Sequence, residues 1–215
     1  MRHDDPVANS SGEIVDPVAV AKQTLRAEIR GRRLKRTPSE HERAAQGIAA
    51  SILGLDKLGG LEGARITCFL SIDAEPGTGA AIKGLQERGA RILVPRVSGA
   101  DLEWVELTAT ATFTSGPFGI LEPVGKAVGR GADPLASCRA LLLPALAVDV
   151  RGYRLGQGGG FYDRALSKVA AHDDGGPIRI AMVFADEVLD RVPVEPFDCR
   201  VDVIATDLGL RSTSP

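Results

Sequence analysis

The residues best suited to chemistry lie together between Val148 and Arg164, in the segment VDVRGYRLGQGGGFYDR. It holds five glycines (Gly152, Gly156, Gly158, Gly159 and Gly160), with Arg151 and Arg154 ahead of the triplet and Asp163 just after it. Glycine allows positive φ and brings no side chain, so consecutive N–H groups can turn inward on an anion. A helix opening at Phe161 would add the partial positive charge of its N-terminus. The two guanidinium groups suit phosphate. Asp163 would repel a bare phosphate, but it makes sense beside phosphate-bound Mg²⁺. The segment therefore reads as a loop for a nucleoside triphosphate. It is neither familiar phosphate loop: no Lys-Ser/Thr follows the glycines, and the dinucleotide fingerprint fails because Phe161 stands where its last glycine belongs. A glycine triplet also serves simply to reverse a chain. The arginines, the aspartate and the strand–loop–helix setting favour the anion site.

No nucleophile is apparent. His3 lies in the polar N-terminal stretch, His41 on a capped helix and His172 in a turn, all away from the glycines in sequence, so no His-based triad can be drawn. Cys68, Cys138 and Cys199 stand singly, which argues against a disulfide framework or a zinc ribbon and fits a reducing cytoplasm. Lys plus Arg number 26 against 28 Asp plus Glu, a net charge of −2 that lacks the basic excess of nucleic-acid binders. The longest apolar run, Ala140 to Val148, is interrupted by Pro144 and falls far short of the roughly 20 residues of a membrane span.

The elements that must position this segment can be read from period and punctuation. Residues 1–15 are polar and aperiodic and are expected to be a disordered tail, with no apolar core of a secretory signal. A single domain is expected over 16–210, with 211–215 frayed. Asp16-Pro17 caps a helix whose apolar stripe is Ala21, Leu25 and Ile29, opposite a basic face that includes Lys22, Arg26, Arg30 and Arg33. Thr37-Pro38-Ser39-Glu40 is a capping box opening a second helix. Ala64–Leu70 reads as a strand, Thr78–Arg88 as a helix and Ala90–Val97 as a strand, together a βαβ unit with parallel strands. Asp101–Leu107 alternates as a half-exposed strand. Arg139–Val148, Ile178–Ala185 and Val201–Thr206 read as further strands, and Phe161–Ala171 as a helix. The expected fold is a three-layer α/β/α domain with a mostly parallel sheet. Ligands of such sheets sit beyond the carboxyl ends of the strands. Ser71–Glu75, Pro95-Arg96, Ala147–Asp149 and Ala185–Glu187 leave those ends and should converge on one rim.

The stretch RGYRLGQGGGFYDR, Arg151–Arg164, resembles the signature of the 5-formyltetrahydrofolate cyclo-ligases, also called methenyltetrahydrofolate synthetases, which typically reads RGYRLGYGGGYYDR. The resemblance runs from about Val18 to Asp207. KQTLR from Lys22 to Arg26 matches the family's K-x-x-L-R; FLSIDAE from Phe69 to Glu75, followed by Thr78, matches its substrate strand and loop. VPR at Val94–Arg96, GILEP at Gly119–Pro123 and PFDCRVD at Pro196–Asp202 match further motifs in the same order. The resemblance implies an architecture like that of sugar-phosphate isomerases and CoA transferases, and reduced folate and ATP as the substrates, with a need for Mg²⁺. It implies ATP contacts from Lys22, Arg26 and Arg154 and from the run Leu155, Gly156, Gln157, Gly158, Gly159, Gly160, Phe161 and Tyr162. It implies folate contacts from Glu75, Arg96, Phe118 and residues 158–162, and Mg²⁺ ligands at Asp163 and Asp198. A cytoplasmic monomer acting on small molecules, without nucleic acid or membrane, is the accompanying expectation. Three departures stand out: Gln157 replaces a usual Tyr, Gly77 an acid, and Phe118 a Trp. The competing readings are a sugar-phosphate isomerase or CoA-transferase-like enzyme that needs no ATP, and a non-enzymatic sensor of a phosphorylated metabolite.

Overall fold

Helix α1 spans Pro17–Arg33 because Asp16 caps it, accepting from the Val18 amide at 2.9 Å, and proline fills the first turn. The Thr37–Glu40 capping box opens α2, Pro38–Leu53. The computed structural model describes residues 16–116 and 121–214. Residues 1–15 and 117–120 lie outside it, and with them the expected tail and the positions of Phe118 and Gly119.

The central sheet begins with β1, Arg65–Thr67, crosses through α3, Gly79–Glu87, and returns as β2, Arg91–Ser98, parallel to β1 with Ile66 against Ile92. Strand β7, Ala140–Pro144, joins the other side of β1 in parallel, followed by β10, Ile178–Met182, and β12, Val203–Thr206. The five-stranded parallel centre agrees with the sequence. Antiparallel strands complete the sheet: β3, Asp101–Glu106, and β6, Ala127–Arg130, beside β2, and β13, Gly209–Ser212, beside β12. The full order is β13-β12-β10-β7-β1-β2-β3-β6. A separate hairpin pairs β4, Thr112–Ser115, with β5, Leu121–Val124.

Side chains from the two faces of the sheet fill separate cores. On one, Ile48 and Ile52 of α2 and Ile82 and Leu85 of α3 pack on Ile66, Ile92, Leu142 and Ile180. On the other, Ala165 and Leu166 of α4, Phe161–Leu166, meet Leu93, Trp104, Leu141 and Ile204. This is the three-layer α/β arrangement anticipated above.

Three local expectations change. The apolar run Arg139–Val148 is two strands. β7 ends at Pro144, and β8, Ala147–Asp149, belongs to a small sheet with β9, Arg154–Leu155, and β11, Val188–Leu189. Proline cannot extend the ladder by an amide, and the next carbonyl, that of Ala145, accepts instead from Arg33 Nη2 at 2.7 Å. α4 stops at Leu166 rather than Ala171. The buried Arg179 guanidinium gathers the carbonyl oxygens of Leu166, Val169 and Ala170 at 3.4, 2.7 and 3.2 Å, satisfying the end of a helix that would otherwise continue. Of the C-terminal residues expected to fray, the described ones are paired, while Pro215 lies outside the described residues: Arg211 and Ser212 lie in β13, and the Thr213 amide donates to Asp202 at 3.1 Å.

Candidate functional site

α1 lies across the small sheet at the carboxyl end of the parallel strands, where Ile29 packs with Leu146, Ala147, Leu155 and Val192. Its inward stripe differs from the expected apolar one. Lys22 and Arg33, assigned from sequence to the basic outer face, are both buried, and they bracket Ile29. Arg33 forms a two-pronged pair with Glu187 at 2.7 and 2.8 Å. Lys22 Nζ lies 2.6 Å from both Glu195 Oε2 and Asp198 Oδ2. A charge enters such a place only with partners that offset its lost hydration.

The glycine loop runs from β9 into α4. Its entry is shaped by Asp149, a fully buried carboxylate. Asp149 accepts from the amides of Arg151, Tyr153 and Val192 at 3.0, 3.1 and 3.3 Å and from the Arg151 side chain at 2.6 Å. Gly152 turns here with φ 92°, and a Cβ would run into the Val201 carbonyl. Farther along, Gly158 has φ 110° and Gly160 has φ 65°, the latter as the residue ahead of α4.

The loop's carbonyl oxygens face arginines. Gly156 O accepts from Arg26 Nε at 2.9 Å, Gln157 O from Arg30 Nη2 at 3.2 Å, and Gly159 O from Arg164 Nη1 at 2.9 Å. Among the described residues, no N–H group from Gly156 to Gly160 donates to the protein. The loop therefore has these acceptors engaged by arginines and its donors free, which is the polarity an anion needs.

The sequence-predicted residues distribute as follows. Arg26 lies against the loop, its guanidinium carbon 3.6 Å from where a Gly158 Cβ would stand. Arg154 is buried behind the loop and donates to Asp163 Oδ1 at 2.8 Å, and Asp163 also accepts from the Cys199 amide at 3.3 Å. Asp198, the residue before Cys199, accepts from the Glu195 amide at 2.7 Å as well as from Lys22. Leu155 is a core side chain, so what it can offer a ligand is backbone. Phe161 packs under the Arg164 guanidinium, 4.9 Å from its ring centre. The Tyr162 ring stands edge-on to Trp104 with centroids 6.3 Å apart, and burial pushes its hydroxyl pKa strongly upward.

Glu75 reaches the same rim. It follows Asp73, the one non-glycine residue with positive φ (44°) among the described residues, and its Oε2 accepts from the Ile72 amide at 3.2 Å. Its Oε1 accepts from Gln157 Nε2 at 3.3 Å, and Gln157 Oε1 in turn accepts from Arg30 Nη2 at 2.7 Å. Gln157, a departure from the family pattern, thus ties α1, the glycine loop and the Glu75 loop together. Burial raises the Glu75 carboxyl above the ordinary carboxylate range, against the Ile72 and Gln157 hydrogen bonds that lower it. Arg96 is drawn elsewhere: its guanidinium binds Glu103 at 2.7 Å and the carbonyls of Pro123 and Gly125, each at 3.2 Å. Three of the four strand ends thus meet through Gln157, Glu75 and the Arg33 pairs, while Arg96 supports the neighbouring hairpin.

Sequence reasoning missed Asp149, Arg30, Arg33, Glu187 and Glu195. The sequence marks Asp149 and Glu187 only as strand ends bound for the rim, Arg30 and Arg33 only as a basic face, and Glu195 by its place three residues before Asp198 in a proline-bracketed turn.

Fold and site together define an α/β protein built around a glycine loop with unpaired amides at the rim of a parallel sheet. The family follows from comparison: a model described as the 5-formyltetrahydrofolate cyclo-ligase family matches residues 18–207, and the chain belongs to that family. A 5-formyltetrahydrofolate cyclo-ligase of Mycolicibacterium smegmatis is 34% identical over 189 residues, covering 84% of this chain and 93% of the relative. A cyclo-ligase of Mus musculus is 29% identical over 189 residues, covering 86% and 92%. The solution structure of Aquifex aeolicus 5,10-methenyltetrahydrofolate synthetase superposes with a TM-score of 0.73 over 90% of this chain and 93% of the other, at 24% identity, a likeness of fold.

Proposed function

We propose that the protein closes the ring of 5-formyltetrahydrofolate to 5,10-methenyltetrahydrofolate at the expense of ATP, releasing ADP and phosphate. Family membership carries the reaction class. The observation that carries the ATP half is the inverted polarity of the glycine loop, with carbonyls bound to Arg26, Arg30 and Arg164 and amides free.

A formamide carbon is a weak electrophile, and its oxygen is a poor leaving group. Transfer of the terminal phosphoryl group to the formyl oxygen corrects both. N10 then attacks the activated carbon, the carbon–oxygen bond breaks so that the oxygen leaves within phosphate, and the N10 proton is released to that phosphate or to water. Such chemistry asks the protein for alignment and charge neutralisation more than for a nucleophile. Gly156–Gly160 would hold the phosphates by their amides, and Arg26 would add charge from α1. Glu75 would orient the folate from the opposite side, with the Tyr162 hydroxyl on the same wall. Lys22 would reach the phosphates once freed from its carboxylates.

The residues present suit Mg²⁺. Asp198 and Glu195 already hold one cation, the Lys22 ammonium, between carboxylate oxygens, and Asp163 adjoins them through the Cys199 amide. Mg²⁺ in phosphate sites uses one or two carboxylates and completes its shell with phosphate and water. Asp163 and Asp198 would hold it, and its charge would offset that building on the phosphates.

Mixing protein, 5-formyltetrahydrofolate, ATP and Mg²⁺ should raise near-ultraviolet absorbance as the conjugated methenyl product forms. A trace identical to the control without ATP refutes the proposal. No helix among the described residues is long and apolar enough to cross a membrane. The expected cytoplasmic, monomeric state belongs to the same proposal.

A further inference from the structure

Lys22 cannot serve phosphate from where it stands. Its side chain is 5% exposed, and its ammonium is 2.6 Å from each of two carboxylates, Glu195 and Asp198. The Phe197 ring lies 5.6 Å from the same nitrogen and closes another side. Asp198 is fixed in turn by the Glu195 amide at 2.7 Å, so Glu195 builds the arrangement twice, through its side chain and its backbone.

We infer that Glu195 is a positioning residue that parks Lys22 and thereby makes nucleotide uptake conditional on a divalent cation. This rests on the proposed nucleotide site. The argument is one of charge. If Lys22 turns to the phosphates alone, it leaves two adjacent carboxylates, with side chains only 24% and 8% exposed, facing each other uncompensated. Buried like charges without a partner are costly. If nucleotide arrives with Mg²⁺, the cation settles on Asp198 and Asp163, beside the place the ammonium gives up, and its charge offsets the neighbouring Glu195 without needing it as a ligand, while the ammonium neutralises phosphate. Both negative groups then stay paired, and only the metal-bound nucleotide finds the exchange favourable. Asp198 is common to both states, whereas Glu195 sets how tightly Lys22 is held in the first.

The test compares ATP dissociation constants by titration calorimetry in Mg²⁺ and in chelator, for wild type, Glu195→Gln, Glu195→Ala and Glu195→Asp. The ratio of the two constants reads the metal preference. Removing the charge should leave Mg·ATP binding near the wild-type value and strengthen metal-free binding, so the ratio falls about tenfold, the scale of one charge-assisted contact. Glu195→Asp, which keeps the charge, should retain most of the wild-type ratio. Ratios for Glu195→Gln and Glu195→Ala within twofold of wild type would overturn the inference while leaving the nucleotide site intact. A wild-type protein that binds no Mg·ATP would overturn the proposed function itself, and this inference with it.

Discussion

Arg26 Nε and the carbonyl oxygen of Gly156 meet at 2.9 Å, joining a helix near the N-terminus to a loop 130 residues later. That contact fixes the Gly156 carbonyl against α1 and so sets the course of the glycine loop beside it. Arg26→Ala should therefore weaken ATP binding by about tenfold or more while changing the melting temperature little, because Arg26 is half-buried at a rim rather than in a core. Arg26→Lys should not restore affinity, since an ammonium lacks the Nε geometry that holds the carbonyl. Titration of both variants with ATP checks this; wild-type affinity in Arg26→Ala would contradict it.

Asp149 does not touch the proposed ligands, yet three amides and an arginine depend on it. Asp149→Ala should cost about 3 kcal/mol of stability, because it strands several buried donors at once. Urea unfolding measures the loss. A cost below about 1 kcal/mol, the value of an ordinary surface change, would show that the turn holds itself.

The glycines divide into two kinds. At Gly152 a side chain meets backbone, the Val201 carbonyl, so Gly152→Ala should destabilise the whole fold. At Gly159 a Cβ would lie 2.9 Å from the Phe161 ring, a neighbour that can shift. Gly159→Val should fold, yet lose the rise in melting temperature that ATP gives the wild type, since the branched side chain fills the approach to the amides. Retained ATP stabilisation in Gly159→Val would count against the phosphate cradle.

Glu75 titrates against its burial. Its raised pKa means that the native state binds its proton more tightly than the unfolded chain does. Stability from this group is therefore greatest below the ordinary carboxylate range and falls as pH rises through the elevated pKa, then levels off. Glu75→Gln should match wild type in acid and be the more stable protein at neutral pH, while losing folate turnover. Unfolding curves across that range test the sign; a variant less stable than wild type at neutral pH would reverse it.

The parallel centre of the sheet was legible because β7, β10 and β12 are almost wholly buried, β2 carries a buried Ile-Leu-Val run, and the strand–helix–strand spacing marked β1. The caps of α1 and α2 were legible because Asp16-Pro17 and the Thr37–Glu40 box act within a few residues. The edge strands were not: β4 is wholly exposed and β13 largely so, and they carry little alternation. The end of α4 was hidden because Arg179, a residue distant in sequence, takes the carbonyls that close it. The strand–glycine loop–helix course could be read from its composition. The inward placement of Lys22 and Arg33 could not, because each is buried by a carboxylate more than 150 residues away. Arg96 shows a related limit: its motif position gave no sign of Glu103, the cross-strand partner that pairs with it.

The most direct measurement follows the formyl oxygen. With 5-formyltetrahydrofolate carrying heavy oxygen in the formyl group, phosphoryl transfer to that oxygen requires the label to leave in the released phosphate, which mass spectrometry of the phosphate detects. Labelled phosphate formed in step with methenyl product is the predicted result; unlabelled phosphate accompanying the same product would contradict it.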